Sequence, residues 1–174
     1  MRSVTGFSRA VALSVAMIIC VSMAATADEL GDVSKTMRER IIGTWTLVSA
    51  ETMNADGSRS FPFGAAPKGI LILTEDGHFA IINVSSHLPS VVLNDRMGQT
   101  SSESAIAQGS LAAFGSFKVD DFRDMLDEHI DASTFPDEIG KNQSPLLKLI
   151  SADELSWTDS VGAARIKLIF KRMS

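Results

Sequence analysis

Gly69-Ile70-Leu71-Ile72-Leu73-Thr74-Glu75-Asp76-Gly77-His78-Phe79-Ala80-Ile81-Ile82-Asn83-Val84 is the stretch that decides the fold. Two apolar runs rich in isoleucine flank Glu75-Asp76-Gly77. Asp-Gly between such runs is a strong hairpin signal, because glycine accepts the positive φ that the reversal needs. Gly69 to Thr74 and His78 to Val84 therefore read as two antiparallel strands.

Outward from this hairpin the same grammar recurs. Thr44 to Glu51 is β-rich and is followed by the turn Asn54-Ala55-Asp56-Gly57-Ser58. Downstream, strand character returns at Ala113 to Val119, Met125 to Ser133, Pro145 to Ser151, Glu154 to Thr158 and Ala164 to Arg172. Only residues 85 to 111 interrupt the pattern. There Thr100-Ser101-Ser102-Glu103 reads as a capping box, with Ala105 to Leu111 continuing as a short helix. A connection of that length within a barrel is either a lid over its mouth or an exposed excursion.

Eight strands in close succession must protect their edges, since an exposed edge recruits other chains. The expected class is all-β: an eight-stranded antiparallel up-and-down barrel with one or two short helices, and a flattened sandwich as the alternative. Eight strands make about the smallest barrel that holds one small ligand. Alternation assigns the faces. In the last strand Ile166, Leu168, Phe170 and Arg172 share one side, while Arg165, Lys167 and Lys171 share the other. Trp45, Leu47, Ser49 and Glu51 share a face in the first strand, as do Leu155 and Trp157 in the seventh.

The amino terminus has a different character. Arg2 and Arg9 precede a short apolar run, and Ala25-Thr26-Ala27 supplies the small-x-small pattern of a signal-peptidase site. Val11 to Met23 is too short for a spanning helix, which needs about 20 residues. Residues 1 to 27 thus read as a signal peptide, 28 to 40 as an arm or short helix, and 41 to 174 as the barrel. A periplasmic or secreted location and no stable membrane insertion are expected. The single cysteine, Cys20, lies within the leader behind Ile19, so neither lipidation nor a disulfide is expected. The chain carries a formal charge of −5, and the leader contributes only positive groups. So acidic a domain repels phosphate backbones, which argues against nucleic-acid binding.

The details of the sequence resemble a known family. Gly43-Thr44-Trp45 is similar to the Gly-x-Trp that opens lipocalins. Phe61-Pro62-Phe63-Gly64, then Pro67 to Thr74, then Asp76-Gly77, resembles the bacterial and fungal lipocalin-like domain family. Phe114-Gly115-Ser116-Phe117, the stretch from His129 to Phe135-Pro136 with Gly140, and Phe170-Lys171-Arg172 agree with it. The resemblance implies that Trp45 plugs a closed end and that Arg172 packs over it as a structural floor. Two features depart from the pattern. There is no tyrosine, so the second lipocalin signature is missing, and Ser144-Pro145-Leu146 stands where the family usually carries an arginine.

The candidate chemistry is sparse. His129 shares a face with Met125, Asp127, Asp131 and Ser133, where a carboxylate could orient it as a base. The opposite phase puts Leu126, Ile130 and Ala132 inside, and Glu128 with them. No spacing resembles a metal site, a calcium loop, a nucleophile elbow or a phosphate loop. No cofactor is expected. The leading function is therefore binding of a small hydrophobic ligand by Leu47, Ile82, Phe117, His129, Trp157, Leu168 and Phe170. An isomerase or cyclase using His129 and Asp131, and a ligand-free interaction protein of the cell envelope, are the alternatives.

Overall fold

The computed structural model describes residues 35–88 and 108–174. A five-residue helix, α1 (Met37–Ile41), leads into the first strand. It starts at a capping box: the Thr36 hydroxyl accepts from the Glu39 amide, and the Glu39 carboxylate accepts from the Thr36 amide at 2.8 Å. Thr36 thereby satisfies amides that the first turn of a helix leaves without partners.

The strands are β1 (Gly43–Met53), β2 (Arg59–Ser60), β3 (Lys68–Leu73), β4 (His78–Val84) and β5 (Ser110–Asp120). They continue as β6 (Met125–Ser133), β7 (Asn142–Gln143), β8 (Leu146–Ser151), β9 (Glu154–Val161) and β10 (Ala164–Arg172). All pairings are antiparallel, and the long strands follow one another around the sheet. β10 then returns to pair with β1 from Trp45↔Arg172 to Met53↔Arg165. The result is a closed eight-stranded barrel with β2 and β7 as short additions. Closure satisfies both edges by backbone bonding.

The turns explain why the hairpins form. In the deciding stretch, Glu75-Asp76-Gly77 is a three-residue loop with Gly77 at φ +85, closed by Thr74 N donating to His78 O at 2.9 Å. Ala55-Asp56-Gly57 repeats it, with Asn54 N donating to Ser58 O at 2.9 Å. Each glycine takes the left-handed position that ends such a loop.

Bulges reset the alternation. β1 carries an extra residue, Val48, between the pairs Leu47↔Phe170 and Ser49↔Ile169. Beyond it Ala50 is buried, so Ser49 and Glu51 do not share the inward face with Trp45 as simple alternation suggests. Glu51 instead meets Arg59 on the outside at 2.9 Å. β6 carries a second bulge at Asp131, opposite Gly115. A Cβ on Gly115 would collide with the His129 carbonyl, so the close approach requires glycine there. The short helix expected to reach Leu111 is also corrected: β5 starts at Ser110, and Leu111 pairs with Asn83. The proposed lid and capping box at Thr100 to Glu103 lie outside the described residues, as does the proposed signal peptide.

Candidate functional site

The inward-facing side chains form a gradient along the barrel. At the α1 end, Ile41, Trp45, Leu71, Leu126, Leu147, Leu155 and Phe170 are fully buried. The Trp45 indole donates to Ile41 O at 2.8 Å, and the Arg172 guanidinium stacks 4.1 Å from the centre of the Trp45 ring. Arg172 also donates to Ile42 O at 3.0 Å and to Arg40 O. This end is a sealed floor.

Toward the other end the packing opens. Leu168, Trp157 and Ile81 are buried without being fully closed off. Further along, Thr52, Leu111, Asp159 and Ile166 are only partly buried. Phe63, from the loop after β2, packs into the core at this end. Its carbonyl accepts from the Ser86 amide at 3.4 Å.

Within this apolar interior are polar groups without partners among the described residues. Asn83 is 0% exposed, and neither its Oδ1 nor its Nδ2 has a hydrogen-bond partner. Glu128 is 3% exposed, and its Oε1 is equally alone. Glu128 faces inward because its register partner is Phe117, and burial pushes its carboxyl well above the usual carboxylate range. The Asp159 charge raises it further. Asp159 is itself raised by burial, despite the Ser160 amide that donates to it at 2.7 Å. An unpaired buried polar group costs about 1–3 kcal/mol, so folded proteins rarely retain one without a use.

Each residue expected at the site now has a place. Leu47, Phe117, Trp157, Leu168 and Phe170 all lie in the interior core, with Trp45 and Arg172 at its floor. Ile82 does not: it is 47% exposed and points outward between Ile81 and Asn83. Ile81-Ile82 is apolar on both faces, so alternation alone could not set its phase. His129 is also outside and exposed. Its Nδ1 lies 2.8 Å from Asn142 Oδ1, and its Nε2 is 3.9 Å from Asp131 Oδ1. The histidine-carboxylate pair therefore has no access to the interior.

His129 instead borders a depression of about 630 Å³ together with His78, Lys118, Asp127 and Asn142, and the buried Phe117 and Glu128 also line it. No cluster of metal-ligating groups occurs among the described residues. Sequence reading passed over Asn83 and noted Glu128 only as an awkward inward acid. The available signal was in the patterning: each interrupts an otherwise apolar alternating face.

A profile of the lipocalin-like domain matches residues 42–167. No curated protein matches the chain. Among solved structures, a de novo designed fluorescence-activating β-barrel is 13% identical, with a TM-score of 0.41, covering 80% of this chain and 99% of the design. A redesigned barrel, mFAP1, bound to DFHBI, is 12% identical, with a TM-score of 0.38 over 79% of this chain and all of that one (100%). Fatty-acid-binding protein 1 of Echinococcus granulosus is 15% identical, with a TM-score of 0.37 over 78% of this chain and 99% of its own.

Proposed function

The chain belongs to the lipocalin-like domain family, and on that premise we propose that it binds a small, mostly apolar molecule inside its barrel. The observation that carries this reading is the burial gradient. A floor sealed by Trp45 gives way to inward residues that are only partly covered at the other end. A closed end, apolar walls and a few enclosed polar groups are the ingredients of a small-molecule site. Leu47, Phe117, Trp157, Leu168 and Phe170 supply the walls. Burial contributes about 25 cal/mol per Å² of apolar ligand surface.

The isomerase or cyclase alternative required His129 to face the lumen. With His129 outside, no observation favours it. We also propose that the protein is exported, on the strength of the Arg2 and Arg9 start and the Ala25-Thr26-Ala27 motif. Sequencing the mature amino terminus from fractionated cells tests this, with Asp28 as the expected first residue.

Native mass spectrometry of the full protein, purified without detergent, tests the binding reading. A co-purifying molecule that is released on denaturation supports it. A bare mass, together with tryptophan fluorescence that no added apolar molecule changes, favours the ligand-free interaction protein instead.

A further inference from the structure

We propose that the molecule held in the barrel is an apolar amine, its basic nitrogen bound by the Glu128 carboxyl with Asp159 beside it and the Asn83 carboxamide as a neutral contact. This inference rests on the binding reading above and specifies its ligand.

The argument begins with what the interior lacks. Glu128 Oε1 is enclosed and accepts no hydrogen bond. Around it, β5 contributes Phe117, and β7 contributes Gln143, the register partner of Glu128. β9 contributes Asp159, a second acid. The basic neighbours along the strands, Lys118 and His129, alternate to the exposed face, and two further cations are engaged elsewhere. Arg38 lies 5.6 Å from the Phe117 ring centre and donates to Glu75 O at 2.6 Å, while Arg172 is held by carbonyls at the floor. Among the described residues no cation offsets the two acids, and burial and Asp159 both raise the Glu128 carboxyl. Asn83 reinforces the picture. Gly69 stands against it, and a Cβ on Gly69 would collide with Asn83 Oδ1. The wall thus makes room for a carboxamide and then gives it no partner.

Such an interior discriminates by charge. A ligand carboxylate would bring a further negative charge to an acidic, desolvated site, which disfavours it. An ammonium meets two carboxyls that lack cationic partners, and charge-assisted hydrogen bonds are roughly twice as strong as neutral ones. The proton balance follows. A protonated Glu128 and an alkylammonium from solution form one complex and release one proton. The release is the same whether the complex is written as carboxylate with ammonium or as carboxylic acid with amine. No covalent bond forms.

The test uses the full protein and three probes of matched length: octylamine, 1-octanol and octanoate, each titrated at pH 7 by calorimetry. Repeating the octylamine titration in buffers of different ionisation enthalpy counts the protons. Octylamine is expected to bind at least about tenfold tighter than octanoate, with a net release of protons, and octanol with none. Glu128→Gln should remove both the amine preference and the proton release while leaving octanol affinity unchanged. Asp159→Asn, as an independent variant, should weaken octylamine selectively. Octanoate binding as tightly as octylamine, or a preference that survives both substitutions, overturns the inference while the binding reading stands. If none of the three probes binds, the binding reading falls together with it.

Discussion

The two halves of the barrel treat polar groups in opposite ways. At the floor, the Trp45 indole donates to Ile41 O, and Arg172 stacks on Trp45 while donating to backbone carbonyls. Further in, Asn83 and Glu128 are just as buried and have nothing to bond to. A polar side chain with every partner supplied by its own chain serves the fold. One that is enclosed and unpartnered weakens the fold and is available to something else. The floor is built for stability, and the unpartnered groups are the ones that the proposed ligand would use.

The largest expected effect is at the floor. Trp45→Ala should destabilise the protein by about 3–5 kcal/mol, read as a fall in the denaturant midpoint. Arg172→Ala removes the stacked cation and its carbonyl contacts, at about 1–2 kcal/mol. A wild-type midpoint for either variant would break the distinction between the halves.

Glu128 sharpens the comparison through pH. Its carboxyl is raised by burial and by Asp159, so the folded state holds a proton that the unfolded chain releases earlier. That contribution is fully present below the usual carboxylate range. It is lost as pH rises from that range through the elevated value, because over this window the unfolded chain has given up the proton that the folded state still holds. Glu128→Gln should flatten this loss, so that it gains on the wild type as unfolding is measured at increasing pH. A variant with the same pH profile as wild type would show that Glu128 is not the group responsible.

Asn83→Leu removes two unpartnered atoms from the interior. Unfolding of the ligand-free protein should change by about 1 kcal/mol or less, in the stabilising direction. A large loss of stability would mean that Asn83 serves the fold after all. The smallest effect is at His129, outside the barrel. His129→Ala should shift stability by no more than about 0.5 kcal/mol and leave binding of any barrel ligand unchanged.

The strands were legible in the sequence because period-two alternation and Gly-containing turns are local signals. The Glu75-Asp76-Gly77 loop needs no information from elsewhere in the chain, and its hairpin formed where the residues place it. The floor was equally readable once the resemblance linked Trp45 to Arg172, two residues far apart in the chain. Phase was harder to read. One inserted residue inverts every side chain beyond it, and Val48 and Asp131 each do this without a distinctive residue type. At β6 the choice lay between a polar face containing His129 and an apolar face containing Glu128. Burial of Leu126 and Ile130 outweighs the cost of one enclosed acid, so the apolar face turned inward.

The amino-acid sequence by itself determined that this chain forms a succession of antiparallel strands and that their apolar faces must be enclosed, since propensity, turn chemistry and alternation act between near neighbours. Only the tertiary structure decided that β10 meets β1, that His129 and Ile82 remain outside, and that Asn83 and Glu128 are shut in without partners. Those outcomes depend on register and bulges summed around the whole barrel, where a shift of one residue exchanges inside for outside.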